Sequence, residues 1–263
     1  MNSPTIVPPQ SYLLKQDSDL DLQRWRKVLS DYQSMAIALL IVGLWSISLF
    51  LCNRLNLAEI PILFVILVVL VRTFLHTGLF IVAHDAAHGT VFTSDRRVND
   101  WFGRIAIALY ALLPYAKFLK NHGLHHKNPG RAGDPDFHDG QHKNAIAWYV
   151  AFMVRYLDRR QLVVIFVGFT VIFHSLRLGM QVSPINLLLF WILPILLSSM
   201  QLFLFGTFLT HREPQQGYTN RHHAMSSDFP VMLSFLACYH FGYHWEHHEY
   251  PHLPWYKLPS VRK

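Results

Sequence analysis

Four long apolar stretches constrain this chain more than any other feature: Ser34–Cys52, Ile60–Ala83, Gln161–Leu176 and Pro184–Thr210. A helix needs about 20 mostly apolar residues to cross the hydrocarbon of a bilayer. The pattern predicts an all-α integral membrane protein with four transmembrane helices, a cytoplasmic histidine-rich cap and interfacial helices. Hydrophobic residues make up 52% of the 263, too many for an ordinary soluble domain. Asn53–Glu59 and Arg177–Ser183 read as short turns between spans. Ala83–Arg160 is a long insert. Within it, Trp101–Leu119 reads as one helix in the membrane interface, and Asn128–Gly140 as a tight loop rich in Pro, Gly and Asp. His211–Lys263 forms a tail. Residues 1–33 are polar and read as a disordered or interfacial leader without a cleavable signal, ending in the basic cuff Arg24, Trp25, Arg26 and Lys27. Residues 34–260 form one domain.

The net charge of +7 raises the question of nucleic acid, and its distribution answers it. With a cytoplasmic N-terminus, four spans return the C-terminus to the same side. The outer turns then hold only Arg54 and Arg177, Arg72 lies within the second span, and twenty of the 23 Lys and Arg fall on the cytoplasmic side. That is the positive-inside bias of a membrane protein, and no nucleic-acid partner is needed to explain it. Cys52 and Cys238 form no disulfide framework and no CxxC pair.

Seventeen histidines require a reason, and their spacing supplies one. His84 and His88 form an HxxxH pair. His122, His125 and His126 form HxxHH, as do His244, His247 and His248. Residues three and four apart share one helix face, so each box is expected to aim its imidazoles at a common point. Imidazole suits iron, zinc, copper and nickel. Eight convergent rings exceed the coordination of one ion, which implies two. The first two boxes follow the second span, and two further spans separate them from the third, so all three fall on one membrane face. A single HxxxH pair is more often a hydrogen-bonded structural feature; three ordered boxes on one face are not explained that way. His211, which closes the fourth span, is a ninth candidate ligand beside the alternative of a histidine reaching the interface. His240, four residues before His244, could be a ligand, a hydrogen-bond donor behind one or a packing residue. His222 and His223 read as surface residues. His138, His142 and His252 stay open, and His76 and His174 lie in spans without a box. Asp85, Asp134, Asp136 and Glu246 are placed to orient the rings through their second N–H, and Glu249 is more readily a solvated charge.

These boxes resemble those of the membrane fatty-acid desaturase and hydroxylase superfamily. Within it, four strings are similar to bacterial and cyanobacterial β-carotene ketolases. They are Thr77–Gly89 around the first box, Asp134-Pro-Asp-Phe-His138, Gln201–His211, and the long Cys238–Trp255 string that contains the third box. The resemblance covers roughly residues 34–260. Ala87 stands where the family is expected to carry methionine, a departure that removes no ligand. The resemblance implies two Fe2+ ions, O2 as co-substrate, and oxidation of the ring 4-position of β-carotene through two hydroxylations and loss of water, giving echinenone and then canthaxanthin. It also implies an apolar substrate drawn from the bilayer, with Tyr110, Phe118, Tyr239 and Phe241 as candidates to line the ring end of a tunnel. No flavin, haem or iron–sulfur module is evident, so electrons are expected from a ferredoxin-type donor. Lys117, Lys120, Lys127, Arg131 and Lys143 offer it a basic face, and membrane lipid head groups account for the same charges. A carotenoid 3-hydroxylase or an acyl-chain desaturase shares the same metal chemistry. A multi-pass metal transporter is the rival from another class, but it would place ligands and acids near the bilayer midplane. Spans one, three and four contain no acid.

Overall fold

The computed structural model describes residues 10–262, with side chains from Trp25 onward. Arg24 and most of the expected leader therefore lie outside the described side chains. The first helix, α1 (Gln10–Cys52), runs unbroken through the leader into the first apolar run, because no proline interrupts it and Gly43 is its one glycine. Its part apolar enough to cross a membrane begins at Trp25. The other candidate spans are α2 (Ile62–His88), α6 (Arg159–Gly179) and α7 (Pro184–His211), each ending beyond its apolar run. Between them lie α3 (Arg96–Ala111), α4 (Tyr115–Lys127) and α5 (Ala145–Tyr156), and after α7 come α8 (Val231–Cys238) and α9 (His244–Glu249). No strand occurs among the described residues.

Large apolar side chains stand exposed along the spans, including Leu63 at 76% and Phe166 at 73%. Water would penalise that arrangement at roughly 25 cal/mol for each Å² left wet, whereas lipid tails accept it. Helix α2 is the hub. Leu79, Ile81, Ala83 and Ala86 are fully buried against α1, α3 and α7. The close approach of α3 rests on Gly103, where an added Cβ would stand 2.9 Å from the Ala86 methyl group and collide with Tyr115.

The single interfacial helix expected over Trp101–Leu119 is two helices bent by 100°. Leu112 adopts a left-handed conformation (φ 53°) that caps α3, and Pro114 opens α4. A residue preceding proline is excluded from helical backbone by the ring, so the chain turns at Leu113. That bend carries the second histidine box back under α2.

Helix α7 contains two π-helical turns, Leu188–Ile192 and Leu204–Phe208. Such turns loosen the carbonyl ladder. At the first, Phe190 O accepts from Arg72 Nε at 3.0 Å. The same fully buried guanidinium donates to Trp45 O at 2.6 Å and Ser48 Oγ at 2.7 Å, so Arg72 joins α1, α2 and α7. One turn on, His76 Nδ1 accepts from the Trp45 indole at 3.0 Å, and its Nε2 lies 2.9 Å from Tyr110 O. An indole N–H only donates, so the proton of His76 sits on Nε2 and points at α3. Neither residue belongs to a metal site; both clamp helices.

Candidate metal centre

Helical geometry divides the boxes rather than gathering each at one point. Residues four apart are rotated by about 40° and those one apart by about 100°. His122 and His126 on α4 therefore join His84 and His88 of α2, while His125 turns to the other side. On α9 the same split sends His247 to the first group and His244 with His248 to the second. The result is two clusters, His84/His88/His122/His126/His247 and His125/His211/His244/His248, with candidate ligand atoms within 4.8 Å of one another in each. All nine sequence-predicted histidines, His211 included, are in one cluster or the other.

The nitrogens face each other. His88 Nε2 and His122 Nε2 are 2.6 Å apart, His126 Nε2 and His247 Nε2 2.9 Å, His125 Nε2 and His248 Nε2 3.1 Å, and His248 Nε2 and His244 Nε2 3.2 Å. An imidazole nitrogen sits about 2.1 Å from a first-row divalent ion, so two ligands at right angles stand about 3 Å apart. Both nitrogens of His84 and Nε2 of His211 are buried without a hydrogen-bond partner. Unpartnered buried nitrogens are costly, and a cation between the rings would satisfy them. Burial and the neighbouring rings hold His122, His244, His247 and His248 well below the ordinary imidazole value. That keeps them in the neutral form that binds metal. The residues present therefore fit a pair of metal ions.

Two rings are oriented from behind. His125 Nδ1 donates to the Asp134 carboxylate at 3.0 and 3.1 Å. Burial lowers the affinity of His125 for a proton, but Asp136 and Asp134 overcome it and hold the ring above its ordinary value. Asp134 also accepts from the backbone N–H groups of Gly130 and Asp136, each at 2.8 Å, tying the 128–138 loop to the ring. Asp136 accepts from the Tyr156 hydroxyl, and burial pushes its carboxyl up to about 6 against the pull of His125. His211 Nδ1 donates to the carbonyl of His223 at 2.9 Å, while the Tyr218 hydroxyl donates to His211 O at 2.6 Å. Sequence reading missed this loop, because a backbone carbonyl leaves no mark in side-chain spacing.

Other expectations need correction. Asp85 lies 3.7 Å from His84 Nδ1, beyond hydrogen-bond range, and accepts instead from Trp255 N at 3.2 Å, pinning the C-terminal segment to α2. Glu246 accepts from the Ser226 hydroxyl rather than from an imidazole. His240, in left-handed backbone (φ 61°), belongs to neither cluster and packs against Tyr243 and Trp255. His222 is not a free surface residue: its Nε2 donates to Glu249 at 2.9 Å, and its ring lies 5.5 Å from that of His248. His223 stacks on Tyr218.

An apolar cavity of about 340 Å³ abuts the centre. His84 and His122 of one cluster and His125 and His244 of the other all stand in its wall. Three of the four aromatic candidates, Tyr110, Phe118 and Phe241, line it beside Phe80. Tyr239 does not, because it stacks on Phe74 at 4.2 Å and abuts Gly78 on another face of α2. Gly206, in the second π-turn, leaves room for the Phe241 ring, which a Cβ there would strike. Of the basic residues, Lys117 is bound to Asp158 and to Tyr156 O, Arg131 to Arg221 O, and Lys143 lies 3.9 Å from Glu213. Lys120 and Lys127 are exposed.

The architecture fits a multi-pass membrane protein with two histidine clusters that could each hold a metal ion. A fatty acid desaturase family model matches residues 60–179 and 155–263, and the chain belongs to that family. Curated relatives narrow the branch. A zeaxanthin 4-ketolase from Chlamydomonas reinhardtii is 34% identical over 97% of this chain and 60% of its own length. Beta-carotene ketolases from Paracoccus sp. strain PC1 and a second Paracoccus strain are 40% and 41% identical, covering 73% and 72% of this chain and 76% of each relative. The chain thus spans less than two thirds of the algal relative and about three quarters of the bacterial ones. No solved structure matches.

Proposed function

We propose that this chain is a di-iron β-carotene ketolase that oxidises the ring 4-position to give echinenone and then canthaxanthin. The observation that carries the reading is the apolar cavity whose wall contains histidines of both clusters. A carotenoid ring has no charge or hydrogen-bonding group to be held by, so only shape and apolar contact can place it. Phe80, Tyr110, Phe118 and Phe241 supply that contact beside the imidazoles. Names of the relatives support the substrate class.

The nine clustered histidines would hold two iron ions, which when bound supply activation of O2 for C–H oxidation. Per ring, the methylene takes up two O2, four electrons and four protons, and leaves as a ketone with three waters. The second hydroxylation creates a geminal diol whose dehydration needs no further oxidant. Asp134 and the His223 carbonyl hold His125 and His211 in fixed tautomers, and the apolar wall keeps bulk water from the reacting carbon. Electrons come from a ferredoxin-type donor, for which Lys120 and Lys127 offer exposed positive charge beside the second box. The charge bias supports a histidine centre and both termini on the cytoplasmic side of the cell membrane.

Pigment analysis of a β-carotene-producing bacterium expressing the chain tests the reading. Echinenone and canthaxanthin are expected, and should be absent from a His122→Ala control that still reaches the membrane. Hydroxylated products would move the oxidised position and make the chain a ring hydroxylase. Unchanged β-carotene, with iron-loaded protein and reductant present, would overturn the ketolase reading.

A further inference from the structure

The cavity is elongated along one helix. On α7 it is lined by Ile192, Ile195, Leu196, Ser199, then the pairs Leu202/Phe203 and Gly206/Thr207, a stripe recurring every three or four positions. At about 1.5 Å per residue, Ile192 to Thr207 covers about 22 Å. Exposure on the stripe is concentrated at Leu196, since Ile195 beside it is only 9% exposed. Thr207, next to the histidines, is 6% exposed, whereas Leu196 is 56% exposed. Leu196 sits in the interior of a span, so the opening there faces lipid and not water. The opposite wall comes from Tyr149 and Phe152 of α5 and from Ile165 and Phe169 of α6. Helix α6 is the least enclosed candidate span, with none of its apolar window buried. The Tyr149 and Ser199 hydroxyls, 2.7 Å apart, hold α5 against α7 on the histidine side of the opening.

Building on the ketolase reading, we infer that the cavity's mouth is a portal within the bilayer, at Leu196 between α5, α6 and α7. The ring of an apolar isoprenoid passes through it towards the histidines, and the polyene stem stays along α7. A hydrocarbon this long gains nothing from crossing water to reach a cytoplasmic mouth. An opening in a lipid-facing wall spares it that transfer.

A thiol placed at the mouth tests this in two ways. Leu196→Cys and, as a control on the lipid side of α6, Val167→Cys (51% exposed) would be labelled in detergent with a bulky apolar maleimide. Native Cys52 and Cys238 are buried. Labelling the Leu196→Cys protein is expected to cut β-carotene turnover at least tenfold relative to the same protein unlabelled, with iron content unchanged. Labelling the Val167→Cys protein should leave turnover intact. Preloading with β-carotene should slow labelling of the Leu196→Cys protein several-fold and leave the control unaffected. Ketone formation with neither block nor protection would overturn the portal while sparing the ketolase reading. Protection without any ketone would overturn the ketolase reading and leave the portal standing.

Discussion

At the scale of single residues, chemistry depends on groups behind the imidazoles as much as on the imidazoles. Asp134 is the clearest instance, since one carboxylate fixes the His125 tautomer and anchors the following loop. Asp134→Asn keeps the shape but replaces one acceptor oxygen with a donor. Losing such a partner typically lowers metal affinity about 10–100-fold. Iron content after dialysis against graded chelator should fall accordingly, with little change in helical content. Iron retention equal to the parent protein would show that His125 is not held through Asp134. Asp134 was legible as an acid following a box, but Glu246 looked equally well placed and proved to bind Ser226. Spacing reports which residues are near in the chain, and not which way a carboxylate points.

At the scale of elements, α7 and α2 are shaped by polar groups inside the apolar bundle. Arg72 meets three acceptors from two other helices, and no acid accompanies it among its hydrogen-bond partners. Arg72→Leu would take the side-chain donor from the Phe190 carbonyl, whereas Trp45 O would keep the Ser48 hydroxyl at 3.1 Å. One orphaned buried carbonyl costs about 1–3 kcal/mol. The variant is therefore expected to melt several degrees below the parent in detergent, while keeping its iron per folded molecule. An unchanged melting temperature would mean that the guanidinium contributes nothing net to the clamp. Within the sequence, Arg72 and His76 were conspicuous but unassignable, because their partners lie on α1, α3 and α7. The bend at Leu113 was similarly hidden. Pro114 marks a possible stop, yet apolar residues continue across it and invited a single helix.

For the whole molecule, the length of the cavity sets how the two ends of a carotenoid are handled. One wall runs about 22 Å from the histidines to Ile192, and the mouth opens earlier, at Leu196. On the proposed ketolase reading, one ring and part of the polyene occupy the cavity while the far ring stays in lipid. That reading then expects each ring to be oxidised in a separate visit, with echinenone released between them. A time course should show echinenone accumulating before canthaxanthin. Isotopically distinct echinenone added midway should be drawn into canthaxanthin. Canthaxanthin formed without mixing from the added pool would mean that the mono-ketone never leaves.

The sequence by itself determined four apolar helices, the order of the histidine boxes and the identity of all nine clustered histidines. Hydropathy and helical periodicity are local, and both survive being read one segment at a time. Tertiary structure alone decided how those nine rings divide between two clusters, which rotation about α4 and α9 controls. It also decided that His240, Asp85, Glu246 and Tyr239 serve packing and anchoring, and that the His223 carbonyl and the α5–α7 wall belong to the site. Those roles depend on directions and distances between residues up to 170 positions apart, as Asp85 and Trp255 are, and no spacing rule along the chain encodes them.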